Sequence, residues 1–126
     1  MSYFYLATAY SKYPGGTEEA FKLASREAGR LMKSGLKIFS PIAHSHPIAV
    51  HSGIDLLNHD FWLGQDEALM DGAKGLIMLM AEGWEQSFGM NEELKYFRKA
   101  GKPVIYVAPE SLLFEQMPVK MENVVC

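Results

Sequence analysis

Residues 3–8 read Tyr-Phe-Tyr-Leu-Ala-Thr and residues 36–42 read Leu-Lys-Ile-Phe-Ser-Pro-Ile, with a long helical pattern between them. Tyr3 to Thr8 is aromatic and apolar without alternation, which is how a strand buried on both faces reads. The loop from Ala9 to Gly16 is rich in turn formers. Ala20, Leu23, Ala24, Ala28, Leu31 and Met32 then recur at helical spacing. Thr17 is expected as the N-cap, Glu18 and Glu19 complement the positive helix end, and Ser34-Gly35 stops the helix. Strand, helix, strand is a βαβ unit, whose crossover is right-handed.

The alternation continues downstream. A helix is expected from about Asp60 to Gly72, a buried strand over Gly75–Met80 and a loop over Ala81–Gly89. A further helix runs from Met90 to Ala100, stopped by Gly101 and Pro103, and Val104–Val107 forms a fourth strand. Residues 43–59 hold all four histidines with a proline and a glycine, so this stretch reads as loop with at most a short helix. A helical turn is expected near Ser111–Gln116. The pattern predicts an α/β three-layer sandwich with a four- or five-stranded parallel, flavodoxin-like sheet, in one domain over 1–126. Ligands of such sheets sit outside the carboxyl ends of the strands. The loops at 8–16, 41–59 and 81–89 are therefore the ones to inspect.

Composition narrows the partners. Hydrophobic residues make up 48% and charged residues 21%, a globular balance. The net charge of −3 comes with no Lys/Arg run, so neither a nucleic acid polymer nor an acidic membrane surface is expected as a partner. No apolar run reaches the ~18 residues of a membrane span. The start, Met1 to Leu6, lacks the basic residues of a signal peptide, and the lone cysteine, Cys126, has no internal partner. A cytoplasmic protein acting on a small molecule is expected.

Three groups of residues stand out. Asp66 shares its helix face with Trp62, Leu69, Met70 and Ala73. A carboxylate there is costly unless paired, so it is either an edge acid bonded to a backbone amide or a functional acid. Ser87-Phe-Gly-Met-Asn-Glu-Glu93 opens the helix after the third strand. Acids at a helix start complement its dipole, which accounts for Glu92. Glu93 instead shares a face with Tyr96, Phe97 and Ala100 and should point inward, and the amides near Gly89 are open to an anion. His44 and His46, even with His51 or His59, have no recognised ligand spacing, so no metal is expected and the first two read as polar lining of a ligand pocket.

Taken in order, Tyr5-Leu6-Ala7 in the first strand, Asp66 shortly before the third, and Ser87, Gly89 and Glu93 as S-x-G-x-x-x-E resemble the nucleoside 2-deoxyribosyltransferase superfamily. The likeness covers about residues 3–107. It is nearest to the 2′-deoxynucleoside 5′-phosphate N-hydrolase branch and to small uncharacterised bacterial and phage relatives. The resemblance implies that Glu93 is the nucleophile on the anomeric carbon, Tyr5 orients it, and Asp66 assists the leaving base. It implies that Ser87 contacts a 5′-phosphate, and that the protein is a homo-oligomer without a cofactor. Two departures are visible. Lys95 stands where the family carries a glycine, and the first loop lacks the family's Gly/Ser/Arg phosphate pattern, leaving Ser11 or Lys12 to substitute.

The chemistry suits the residues. Cleavage of an N-glycosidic bond passes through an oxocarbenium-like state, which a carboxylate stabilises or captures. A second acid with a raised pKa can protonate the departing base. The expected function is therefore cleavage or transfer at the N-glycosidic bond of a nucleoside or nucleoside 5′-monophosphate. The competing reading is a non-catalytic nucleotide sensor or sequestering protein of the same fold. A flavodoxin-type flavin site is a third, but no Ser/Thr-rich loop follows the first strand.

Overall fold

Leu76 and Met78 of the third strand face one core cluster, while Ile77 and Leu79 face the other. Both faces of that strand are therefore covered, as its unbroken apolar run requires. In the computed structural model residues 2–111 and 120–122 are described. The elements in chain order are β1 (Phe4–Ala7), α1 (Thr17–Lys33), β2 (Ile38–Phe39), α2 (Pro41–Ser52) and α3 (His59–Gly72). They continue as β3 (Gly75–Leu79), α4 (Phe88–Lys99), β4 (Val104–Val107) and β5 (Lys120–Glu122).

The sheet order is β2-β1-β3-β4-β5. β1, β2, β3 and β4 are mutually parallel, so the chain is the expected α/β three-layer sandwich. β5 adds to the β4 edge in the opposite sense, with Ile105 opposite Met121. A fifth parallel strand, one of the two expected sheet sizes, is thus replaced by an antiparallel edge strand. The expected turn near Ser111–Gln116 lies, beyond Ser111, outside the described residues.

Tyr5 and Ala7 of β1 join Met70 of α3 and Met90 and Phe97 of α4 in one core. Leu6 joins Leu23, Ala28 and Leu31 of α1 in the other. α3 and α4 therefore cover the face that carries Tyr5. The chain turns from β1 to β2 on one side and places β3 on the other. This is the switch point of a doubly wound sheet, where the loops diverge and leave a crevice.

Two local expectations change. Gly16, not Thr17, is the N-cap of α1, and no side chain caps that end. The Thr17 hydroxyl acts instead on Tyr10. Residues 41–52 are a full helix rather than mainly loop. Its start is well specified: Ser40 accepts the Ala43 N–H at 3.1 Å and Pro41 occupies the first turn, where a missing N–H is harmless. Pro47 lies inside this helix, which is what made the stretch read as loop. β2 is correspondingly shorter than the expected 36–42.

Candidate functional site

The two acids reach one place because of helix periodicity. Asp66 and Met70 are the buried residues of α3, four apart, and Met90, Glu93 and Phe97 are those of α4, three and four apart. Both helices lie over the Tyr5 face of the sheet, so both carboxylates point toward Tyr5. The Tyr5 ring is fixed between Phe39 and Phe97, with centroids 5.9 and 5.6 Å away. Its hydroxyl donates to Glu93 Oε2 at 2.6 Å.

Above these groups a small cleft of about 60 Å³ opens at the carboxyl edge of the sheet. That is smaller than the roughly 300–1,000 Å³ of usual small-molecule sites, so a whole nucleoside would have to widen it. Asp66, Ser87, Gly89 and Glu93 line one part of it. Ile42, Ala49, Leu56, Trp62 and Leu63 form an apolar part, interrupted by Tyr10, Ser45 and His46.

Burial governs the electrostatics. Desolvation raises Glu93 to about 8, with the Tyr5 hydrogen bond opposing and the Asp66 charge adding to the rise. Desolvation also raises Asp66 to about 6, again opposed by a hydrogen bond with Tyr5. Two coupled carboxyls lose their protons as a pair. The span between the two values is one in which the pair holds a single proton. Tyr5 is pushed well above its ordinary value by burial and by both carboxylates, so it remains a donor throughout.

Ser87 has a structural task that the sequence reading did not give it. Its Oγ accepts the Met90 N–H at 3.2 Å and caps α4, fixing the helix that carries Glu93. The serine proton remains available to a ligand. A side chain at Gly89 would meet open space, so the glycine keeps the cleft floor uncovered.

Of the other residues singled out from sequence, Ser11 and His46 line the cleft. Lys12 and His44 do not. Lys12 packs through its backbone carbonyl against Gly83, where a Cβ would come within 2.6 Å of it. His44 lies against Phe39 and borders a second cavity that shares Trp62 and Asp66 with the cleft. Its place on α2 explains this: two residues of helix separate it from His46 by about 200°, so the two cannot share a face. Among the described residues no three His, Cys, Asp or Glu side chains are grouped to hold a metal. No helix among them is long and apolar enough to cross a membrane.

Sequence reasoning missed Tyr10, Ser45 and the apolar wall of α2. Tyr10 lies in the loop after β1 and belongs to no motif. Ser45 and Ala49 become neighbours only once residues 41–52 are known to be helical.

A family model described as a domain of unknown function, DUF1937, matches residues 2–108. The chain belongs to the DUF1937 family. The match runs through β4 and takes in every residue that lines the cleft of this DUF1937 domain. No curated protein matches the chain.

Proposed function

We propose that this DUF1937 domain cleaves or transfers at the N-glycosidic bond of a nucleoside. The observation that carries the reading is the Tyr5–Glu93 hydrogen bond beneath a cleft that a second buried acid, Asp66, also enters. With one proton in the pair, a protonated Asp66 can donate to the Tyr5 oxygen while Tyr5 donates to Glu93. The raised values rest the shared proton mainly on Glu93, so the reactive form is the minor one in which it has moved to Asp66, with Glu93 ionised as nucleophile and Asp66 ready as acid. Its residues match the roles that the likeness to nucleoside 2-deoxyribosyltransferases implies.

Glu93 attacks the anomeric carbon, and the bond from that carbon to the base nitrogen breaks. The bonding pair stays on the base, which takes its proton from Asp66. Water or a second base then attacks the glycosyl–Glu93 ester, releasing the carboxylate, and its proton returns to Asp66. Ser87 and the amides near Gly89 hold the sugar. Between nucleoside and 5′-monophosphate, the neutral form fits better, because among the described residues the lining includes acids but no Lys or Arg. We place the protein in the cytoplasm, as a homo-oligomer.

The test is base release, read by chromatography, from a panel of nucleosides and their monophosphates. Glu93→Gln keeps shape and removes charge, so turnover should fall by at least ~10³ while the nucleoside still binds. Equal turnover by wild type and Glu93→Gln sinks the mechanism. Tight binding by wild type without turnover of any compound points to the sensor reading, in which the cleft only sequesters its ligand.

A further inference from the structure

The apolar half of the cleft carries polar groups whose protons are already committed elsewhere. Ser45 Oγ donates to the Pro41 carbonyl at 2.6 Å, so toward the cleft it offers only lone pairs. His46 bridges two partners. Its Nε2 lies 3.0 Å from a carboxylate oxygen of Glu18, and its Nδ1 lies 2.5 Å from the Tyr10 hydroxyl. An ionised carboxylate only accepts, so Nε2 must carry the hydrogen facing Glu18. In the tautomer that carries its one hydrogen on Nε2, Nδ1 is bare and accepts the Tyr10 proton. The ring itself is buried and stacked on Phe21 at 4.6 Å and 20°, so it cannot swing to a different pairing without losing that contact. The Thr17 hydroxyl also hydrogen-bonds with the Tyr10 oxygen and takes at most one of its lone pairs. One lone pair of Tyr10 is left for the cleft.

We infer that Tyr10, positioned by His46 and Glu18, acts with Ser45 as a specificity-determining acceptor wall, selecting a nucleobase with an exocyclic amine over one with a carbonyl there. This rests on the nucleoside reading above. The apolar lining of Ile42, Ala49, Leu56 and Trp62 suits a heterocycle, and Tyr10 and Ser45 sit among it. An amine places N–H groups against the two oxygens. A carbonyl places lone pair against lone pair and leaves both unpaired, which is strongly disfavoured out of water. Tyr10 is the specificity residue, whereas His46 and Glu18 act through it.

Two measurements test this. The first is ¹⁵N NMR of the histidine rings in the full chain at neutral pH, assigned with His46→Asn. His46 should show a protonated Nε2 and an unprotonated Nδ1. A ring protonated at Nδ1, or at both nitrogens, overturns the inference, because Tyr10 would then turn its own proton to the cleft. The second is calorimetric binding of 2′-deoxyadenosine against 2′-deoxyinosine and of 2′-deoxycytidine against 2′-deoxyuridine, using Glu93→Gln to prevent turnover. The amino member should bind ~tenfold or more tightly in the pair that fits, and Tyr10→Phe should bring the ratio to within ~threefold. His46→Leu should weaken the preference as Tyr10→Phe does, while His46→Asn, whose Oδ1 still accepts from Tyr10, should keep it. An unchanged ratio in Tyr10→Phe overturns the inference. Failure of all four nucleosides to bind, with the tautomer as stated, counts instead against the nucleoside reading and takes the base assignment with it.

Discussion

Tyr5 has one proton and two carboxylates competing for it. The geometry gives that proton to Glu93, which favours the charged form of Glu93 over that of Asp66. Deeper burial works the other way, raising Glu93 above Asp66. Both effects act on one shared proton, so the reactive species is the singly protonated pair wherever that proton rests. For the proposed reaction kcat/KM should therefore follow a bell with limbs near 6 and 8, the values to which burial raises the two acids. A profile with one limb, or an optimum below pH 5, contradicts the assignment. Tyr5 lies beneath the cleft rather than in its lining, so Tyr5→Phe removes no ligand contact. It should lower kcat by roughly tenfold or more with KM nearly unchanged, and move the alkaline limb upward, because the ionised Glu93 loses its donor. A rise in KM with kcat intact would mean that Tyr5 touches the substrate instead.

Among the elements, the ends of helices decide how the site is held. α4 is capped by Ser87, and that cap sets the direction of Glu93. α3 has no basic residue in its own last turn, yet Lys102 Nζ donates to the carbonyls of Met70, Asp71 and Ala73 at 2.9, 2.7 and 2.7 Å. The ammonium meets the negative end of the helix dipole and satisfies carbonyls left over by the helix. Lys102→Met should cost about 1–2 kcal/mol and lower the Tm by roughly 5 °C, as read by thermal denaturation. Ligand affinity should hold, since this helix end leads into the amino end of β3, away from the cleft. A lost affinity at unchanged Tm would contradict that account. The loops follow a different rule. Gly83 has φ of +84° and no room for a Cβ beside the Lys12 carbonyl. Gly83→Ala must move the 8–16 loop that carries Tyr10 and Ser11, so it should weaken ligand binding more than it lowers the Tm. The same elements show what the sequence could reveal. β1, β3 and β4 are legible because strands buried on both faces are apolar throughout. Asp66 and Glu93 are legible because an acid breaks an otherwise apolar helical face. α2 is not, because Pro47 and Gly53 outweigh a Ser40–Pro41 start signal in a local reading. The acceptor wall is hidden with it, since the wall exists only in helical register. Lys12 and His44 fail for a related reason: their residue type fits a ligand site, but type says nothing of which way a loop or helix turns.

At the scale of the whole molecule the site opposes the fold. Asp66 and Glu93 have ordinary values of 3.8 and 4.5, and in the folded chain burial raises them to about 6 and about 8. The folded state therefore binds more protons than the unfolded state between about pH 4 and pH 8. Stability falls with rising pH wherever the folded state holds the extra protons. The contribution of the neutral pair is complete below the ordinary values and is lost as the pH rises through the raised ones. Glu93→Gln removes the larger of the two terms. Its carbonyl still accepts from Tyr5, so the buried Tyr5 hydroxyl keeps its partner. The variant should match wild type near pH 4, where Glu93 is protonated in both states. It should then gain steadily to a Tm at least ~5 °C higher near pH 8, where wild type must bury a charge or hold a proton against its tendency to leave. Asp66→Asn should show the same sign over a narrower window, closing near pH 6 rather than pH 8. Thermal denaturation of the three proteins from pH 4 to pH 9 reads all of this. A gap independent of pH would mean that Glu93 is not held neutral by burial. A wild type more stable than Glu93→Gln at pH 8 would mean that the folded chain welcomes the charge, and the bell expected for catalysis would fail with it. A protein that only needed α4 packed on its sheet would gain from an apolar residue or an amide at position 93, whereas a carboxylate there destabilises the fold over the range in which the proposed chemistry needs it ionised.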